Sequence, residues 1–136
     1  MVAEIKPVNA AGMPAPVAPY SNAVRAKASE FLFIAGQVAL DAAGHVVGVG
    51  DLEAQARQTF ANIELALKGA GTGFDSIVQF TTYLVRASDI PAFAEFRRRM
   101  FPTYFPTGRY PTNTLVVVDR LVLPDLLIEI TPIAAL

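Results

Sequence analysis

Hydrophobic and polar positions alternate with two different periods along the chain, which predicts a fold containing both helices and strands. From position 52 onward, apolar side chains recur every three or four residues, the spacing of one helix face; they are Leu52, Ala56, Phe60, Ile63 and Leu67. Asp51 precedes this stretch and is expected to cap the helix, because its carboxylate can accept hydrogen bonds from free amides of the first turn. We expect the glycines at 69, 71 and 73 to end it.

A second helix is predicted after Ser88 or Asp89, either of which can cap it, with Pro91 tolerated in its first turn. Its apolar stripe comprises Phe93, Phe96 and Met100. Strands are predicted where apolar, β-branched and aromatic residues dominate: Ala23–Lys27, Phe31–Leu40, Ile77–Val85, Thr114–Asp119 and Leu126–Ile133. This order predicts one α+β domain over residues 1–136, a mixed sheet with two helices on one face.

The predicted strand Thr114–Asp119 is apolar on both faces. Leu115 and Val117 are expected on one face, and Val116 and Val118 on the other. In a sheet with helices on one side only, the second face normally carries alternating polar residues. The chain is also 53% hydrophobic and only 17% charged, which is apolar for a small soluble domain. Both observations predict that another subunit covers this face.

Charge and composition exclude several functional classes. The net charge of −1 provides no global field that would attract nucleic acid. The absence of cysteine excludes disulfides, a thiolate nucleophile and a cysteine-ligated metal site. No apolar run approaches the length needed to span a bilayer, and the N-terminus does not resemble a secretory signal. A cytoplasmic protein without nucleic-acid or membrane partners is therefore expected.

Few charged residues stand out as candidates for chemistry. Glu129 lies between two isoleucines in a predicted strand, where a carboxylate is costly unless it is paired, hydrogen-bonded or reached by water. A structural pair or cap is an equally good interpretation of Glu129. The lone histidine, His45, is expected in a solvated loop. Arg97, Arg98 and Arg99 favour a solvated helix face, because consecutive helical side chains point about 100° apart and cannot form one patch.

Four motifs, in order, resemble those of the Rid (YjgF) family of reactive intermediate deaminases. In that family a Pro-Ala-Arg-Ser/Thr turn precedes an apolar strand, and the final strand reads Val/Ile-Glu-Ile-Glu-Ala-Ile-Ala. Upstream lie a Pro-Tyr-Ser motif and a strand that ends in Ser-Gly-Gln. The matching segments here are Pro19–Ala23, Phe33–Val38, Pro111–Thr114 and Ile128–Ala134. One departure matters: Asn113 stands where the family has the arginine that holds a substrate carboxylate.

The resemblance implies a chorismate mutase-like fold assembled as a homotrimer, with ligand clefts at the subunit boundaries. It also implies hydrolysis of imines and enamines of 2-oxo acids, with release of ammonia and without a metal or organic cofactor. In that chemistry, Glu129 would position or activate the attacking water. Backbone groups near Gly36 would position the substrate, and Tyr20 would line the mouth of the cleft.

The exchange of arginine for Asn113 puts the carboxylate anchor in question, because an amide donates hydrogen bonds but carries no charge. Residue 113 is expected to project toward the space that Glu129 faces, since Thr114 should begin the strand. Arg109, in the same segment, and Arg97, near a family position that is often asparagine, are candidate replacements.

Three functions remain open at the level of sequence. The first is an imine or enamine deaminase with altered specificity, for example toward an aminomuconate-like dienamine. The second is a trimeric protein that binds a small metabolite without turning it over. The third, a ribonuclease-like or translation-linked role, is disfavoured by the acidic balance and the single loop histidine.

Overall fold

The structure is a computed structural model and describes residues 2–136. Two helices and seven strands follow one another along the chain, with short 3₁₀ turns at Phe74–Ser76 and Ala87–Asp89. In chain order the elements are β1 (Glu4–Pro7), β2 (Val24–Lys27), β3 (Phe31–Phe33), β4 (Gln37–Val38), α1 (Leu52–Gly69), β5 (Ile77–Leu84), α2 (Ile90–Tyr104), β6 (Thr112–Val117) and β7 (Ile128–Ala135).

The main sheet has the strand order β3-β7-β5-β6, with β4 also paired to β7. Strands β5 and β6 run parallel and are joined through α2, whereas β7 runs antiparallel to β3, β4 and β5. Strands β1 and β2 form a separate antiparallel pair. The sheet is therefore mixed, and β7 lies at its centre.

Both helices pack on one face of this sheet, which we call the helix-facing side. Phe80, Thr82 and Leu84 of β5 are buried there, at most 2% exposed. Phe60 of α1 and Phe101 of α2 both contact Phe80, with ring centroids 5.7 and 6.1 Å from its own. Since side chains alternate along a strand, the intervening β5 residues lie on the opposite face, the open side. The predicted α+β architecture, a mixed sheet with two helices on one face, is confirmed.

The predicted caps of the two helices were found in part. Asp51 caps α1, because its carboxylate accepts a hydrogen bond from the amide of Ala54 at 3.1 Å. The helix ends at Gly69, and Gly71 follows with a φ of +74°. At α2 the residue in the cap position is Asp89, but its side chain makes no capping bond. That carboxylate instead accepts a hydrogen bond from Arg86 at 2.9 Å.

The predicted strand Phe31–Leu40 is interrupted, and the reason lies in its partner. Phe33 pairs with Ile133, and Gln37 pairs with Ile130. The chain therefore advances four residues on this side of the ladder while β7 advances only three. An extra residue must bulge out of such a ladder. The bulge falls opposite Pro132, which has no backbone N–H to donate. The chain is therefore irregular at residues 34–36, next to Glu129.

Two other boundaries differ from prediction. Strand β6 begins at Thr112 rather than Thr114, so Asn113 lies within the sheet. Strand β1, at Glu4–Pro7, was not predicted, because its short pattern shows no clear alternation. In the part of the chain that the structure describes, neither helix has the length and apolar character to cross a bilayer.

Candidate functional site

The candidate site centres on the contact between Glu129 and Gly36. Glu129 lies on β7, where it pairs with Val38 of β4 and Tyr83 of β5. A Cβ atom built on Gly36 would lie 2.5 Å from Oε2 of Glu129. Gly36 has no positive φ, so glycine is required by this contact and not by backbone conformation. The irregular segment at 34–36 thus presses a backbone carbon against a carboxylate.

Glu129 projects onto the open side, because Tyr83, its partner, lies opposite the buried run of β5. The carboxylate is half-buried and makes no hydrogen bond or ion pair with the described residues. Register places thirteen strand residues on this side, and among them only Glu129 is charged. They are Phe31, Phe33, Val38, Gln79, Thr81, Tyr83, Thr112, Thr114, Val116, Glu129, Thr131, Ile133 and Ala135.

Asn113 does not face Glu129, contrary to the prediction from sequence. It pairs with Phe80, and residues paired in a parallel ladder share a face, so its side chain lies on the helix-facing side. There its Oδ1 accepts a hydrogen bond from the buried hydroxyl of Thr82 at 2.8 Å. The prediction failed because it placed Asn113 in the turn before the strand, whereas β6 already includes Asn113. Thr112, Thr114 and Val116 are the residues of β6 that share the open side with Glu129.

Arg97 is buried on the inner face of α2, with only 6% of its surface exposed. Its guanidinium lies over the ring of Phe93, 4.9 Å from the centroid. Nε and Nη1 are buried without a hydrogen-bond partner, and Arg97 forms no ion pair with the described residues. Burial lowers the pKa of Arg97, and the nearby Tyr20 raises it. The predicted solvated face is therefore wrong for Arg97.

The neighbouring arginines do lie on the surface, as predicted. Arg98 pairs with Glu95, and Arg99 pairs with Glu53 at 3.0 Å. His45 lies in an exposed loop beside Asp41, with 80% of its side chain accessible.

Tyr20 lies on the N-terminal segment that crosses the start of β6. The next residue, Ser21, anchors it: its backbone N–H donates to the carbonyl of Pro111 at 3.0 Å, and its hydroxyl donates to the carbonyl of Tyr110. These two bonds fix Tyr20 next to the start of β6.

Arg109 is fully engaged elsewhere. Its Nη1 donates to the carbonyl of Ile5 at 3.0 Å, and its Nη2 donates to the carbonyl of Asp75 at 2.7 Å. These bonds tie β1 to the turn before β5. If Arg109 moved to replace the missing carboxylate anchor, both hydrogen bonds would break. We therefore do not include Arg109 in the candidate site.

Comparisons with known proteins fit this architecture. Residues 11–136 match the family model described as Endoribonuclease L-PSP. A RutC family protein of Synechocystis is 36% identical over 133 residues, covering 97% of each chain. The 3-aminoacrylate deaminase RutC of Acinetobacter baylyi is 36% identical over 123 residues, covering 90% of this chain and 91% of that protein.

The chain belongs to the Rid family. Among solved structures, a protein of the conserved Rid family from Yersinia pestis superposes with a TM-score of 0.85 at 36% identity, covering 97% of this chain and 98% of the other. A yeast protein, YEO7, superposes with a TM-score of 0.66 at 28% identity, with 97% and 98% coverage. The fold expected from the resemblance is thereby confirmed.

Within this Rid domain, sequence reasoning missed Thr114 and the burial of Arg97. Thr114 was passed over because the turn motif drew attention to position 113. The buried state of Arg97 did have a signal: it follows Phe93 by four residues, and so falls on the apolar stripe of its helix. Among the described residues, no cluster of three or more His, Asp or Glu side chains could hold a metal ion.

Proposed function

We propose that this Rid-family protein hydrolyses imines or enamines of small metabolites, with Glu129 as the catalytic group. The observation that carries the proposal is the lone carboxylate of Glu129, held against the Cα of Gly36 on the open side of the sheet. A relative that is 36% identical to this chain, and of which 91% is covered, is named a 3-aminoacrylate deaminase, and this name supports the reaction type.

The chemistry assigned to Glu129 follows from its environment. Water adds to the carbon of the C=N bond, and collapse of the adduct releases ammonia and leaves a carbonyl. A carboxylate within hydrogen-bond reach can take a proton from the water and return one to the departing nitrogen. Glu129 has free oxygens for this role, because no described side chain occupies them. The missing side chain of Gly36 leaves room for the Glu129 carboxylate itself, since any Cβ there would displace it.

None of the main-sheet strand residues on the open side is a cation that could hold a substrate carboxylate within one protomer. Charged hydrogen bonds contribute about 1.5–3 kcal/mol, against about 0.5–1.5 kcal/mol for neutral ones. We therefore propose a substrate specificity different from that of Rid proteins with an arginine anchor. Activity on 2-iminobutanoate should be weak, and a dienamine with a second carboxylate farther from the reacting carbon, such as an aminomuconate, should be the better substrate.

The proposal includes assembly as a homotrimer with clefts at the subunit boundaries. Large apolar side chains are exposed on the open side: Phe31 is 55% exposed, Phe33 75% and Val116 40%. Apolar surface grouped on one face is typical of a protein interface. A partner on this face would bury these side chains and would turn the surface around Glu129 into a cleft. We also propose a cytoplasmic location.

A deaminase assay tests the function. Freshly generated 2-iminobutanoate and an aminomuconate would be supplied to the wild type, to Glu129→Gln and to Glu64→Gln as a matched surface control. The proposal expects ammonia release above the uncatalysed rate for at least one substrate, and a loss of about 10²- to 10⁴-fold in Glu129→Gln only. Wild-type protein that is folded but inactive on both substrates would contradict it.

The second candidate is a trimeric protein that binds a small metabolite without turning it over. The absence of a cation beside Glu129 within the described chain favours it, because a substrate acid would be poorly oriented there. Binding of a metabolite without turnover would select this alternative.

A further inference from the structure

We propose that Tyr83 is the proton donor of the reaction, acting beside Glu129 on the open side of the sheet. Glu129 takes a proton from the attacking water, and the Tyr83 hydroxyl gives a proton to the nitrogen that departs as ammonia. This role rests on the deaminase function proposed above, and it divides the proton transfers of that reaction between two side chains.

Tyr83 stands directly beside Glu129 in the sheet. Tyr83 of β5 is the ladder partner of Glu129 of β7, so the two side chains project from the same face. The Cβ atoms of such a directly opposed antiparallel pair are about 4.5–5.5 Å apart. Both side chains are half-buried, so part of each is accessible from the open side. A molecule bound over the carboxylate of Glu129 therefore lies next to Tyr83.

These two residues are also the only titratable pair that the open side offers. Of its thirteen strand residues, Glu129 and Tyr83 alone carry a titratable side chain. The others are apolar residues, threonines and one glutamine. At neutral pH a carboxylate accepts a proton and a phenol donates one. Two adjacent groups with opposite proton preferences are typical of an acid–base pair in an active site.

The polar atoms of both side chains are free to act on a bound molecule. Neither the hydroxyl of Tyr83 nor the carboxylate of Glu129 makes a hydrogen bond or ion pair with the described residues. Gly36 closes one flank of Glu129, because it lies against Oε2. Tyr83 lies on the other flank, since β4 and β5 pair with opposite edges of β7. A substrate over the carboxylate is therefore bordered by a phenol on the side of β5.

The first step adds water to the C=N bond. An O–H bond of water breaks and its proton passes to Glu129, while a C–O bond forms at the imine carbon. The π electron pair of the C=N bond moves to nitrogen, which takes the proton of the Tyr83 hydroxyl. Glu129 then returns its proton to the neighbouring phenolate, and this transfer restores both side chains.

The second step releases ammonia. Glu129 takes the proton of the new hydroxyl group, and that oxygen forms the C=O bond. The C–N bond breaks with its electron pair on nitrogen, which takes a second proton from Tyr83 and leaves as ammonia. Glu129 again restores the phenol, so the two steps together consume one water and need no other reactant.

Kinetics of ammonia release test this role, with 2-iminobutanoate and an aminomuconate as substrates for the wild type, Tyr83→Phe and Tyr104→Phe. Tyr83→Phe keeps the ring and removes only the hydroxyl. Tyr104→Phe is the matched control, because Tyr104 stacks on Phe60 on the helix-facing side. In Tyr83→Phe, kcat should fall about 10²-fold or more with little change in KM. The control should react as the wild type does.

The pH profile of kcat separates proton donation from packing. For the wild type, kcat should fall at acidic pH, where Glu129 is protonated, and at alkaline pH, where Tyr83 is deprotonated. Tyr83→Phe should lack the alkaline fall. Replacement of Tyr83 by 2,3,5-trifluorotyrosine, whose hydroxyl is more acidic, should move the alkaline fall to lower pH. A side chain that only packs would leave this fall in place in both variants.

Distinct results overturn the role of Tyr83 and the deaminase function. Wild-type kcat in Tyr83→Phe, or a lower kcat with an unchanged alkaline fall, would refute proton donation by Tyr83 and leave the deaminase function standing. If Tyr83→Phe does not fold, an unshifted alkaline fall in the trifluorotyrosine protein would refute it. A folded wild type that releases no ammonia from either substrate would refute the deaminase function and this role together.

Discussion

Asn113 and Glu129 project from opposite faces of the same sheet, because Asn113 pairs with Phe80 and Glu129 pairs with Tyr83 on β5. A guanidinium introduced at position 113 would enter the space beneath α2, beside Thr82. A side chain of β6 can extend over the open side from Thr112, Thr114 or Val116, and Thr114, the middle one, pairs with Thr81.

Thr114→Arg should therefore create a carboxylate anchor on the face of Glu129, whereas Asn113→Arg should not. The expected gain is about 1.5–3 kcal/mol, roughly ten- to a hundredfold in affinity for 2-oxobutanoate. Calorimetric titration of both variants with 2-oxobutanoate measures this effect. Equal affinities of the two variants would contradict the assignment of the two faces.

Gly36→Ala should impair the proposed deaminase reaction without unfolding the protein. The added methyl would meet Oε2 of Glu129 at 2.5 Å, so the carboxylate must move. A displacement of about 1 Å in a catalytic group can cost about a hundredfold in rate. Gly69→Ala is the matched control, since nothing lies within 4 Å of its added Cβ. Steady-state kinetics that showed the two variants to be equally active would argue against a role for the Gly36–Glu129 contact.

Val116→Asp should prevent assembly while leaving the protomer folded. Val116 is 40% exposed on the open side, where a charge would be tolerated in a monomer but not in an apolar interface. Light scattering at micromolar concentration should then report monomers. Persistence of the wild-type assembly would show that this face is not the interface, and a monomeric wild type would refute the trimer.

Leu115→Asp should instead destabilise the fold, because Leu115 packs against the hydrophobic core on the helix-facing side. A loss on the order of 3 kcal/mol is expected for an unpaired charge at such a position. Val117 shares that side but is 44% exposed, so its replacement by Asp should cost less. The sequence alone grouped Leu115 and Val117 as interface candidates. Chemical denaturation of Leu115→Asp, Val116→Asp and Val117→Asp separates a loss of fold stability from a loss of assembly.

Tyr104 should make the fold less stable at alkaline pH. It stacks on Phe60 with ring centroids 5.0 Å apart, and burial raises the pKa of its hydroxyl. The unfolded chain then releases this proton first, near pH 10, while the native state retains it. Stability must fall as pH rises through that interval, because the native state binds more protons. Tyr104→Phe should show a smaller loss between pH 8 and pH 11 in urea unfolding; an equal loss would exclude this cause.

The sequence predicted elements well wherever their signals were local. The periodic apolar face from Leu52 to Leu67 and the Asp51 cap defined α1, and both were found. Long-range relationships were not accessible in this way. The bulge opposite Pro132 and the early start of β6 at Thr112 depend on which strands pair, and in what register.

The candidate site shows the same limit more sharply. The motif located Glu129 and Gly36, and the structure brings them into contact. A one-residue difference along a strand, however, exchanges its faces. The motif drew attention to Asn113, and the sequence did not show that this residue already lies within β6, on the face opposite Glu129. Burial of Arg97 depends on how α2 packs against the sheet. The run of three consecutive arginines favoured a solvated face and gave no indication of this packing.

The central position of β7 has a consequence for biosynthesis. Strands β3, β4 and β5 all hydrogen-bond to β7, although they precede it along the chain by many residues. While the ribosome is still synthesising the chain, these strands have no common partner, and their apolar faces stay uncovered. The main sheet can form only once the segment from Ile128 to Ala135 has emerged from the ribosome. Nascent chains stalled before that point should therefore depend on chaperones, whereas complete chains should fold in a single cooperative step.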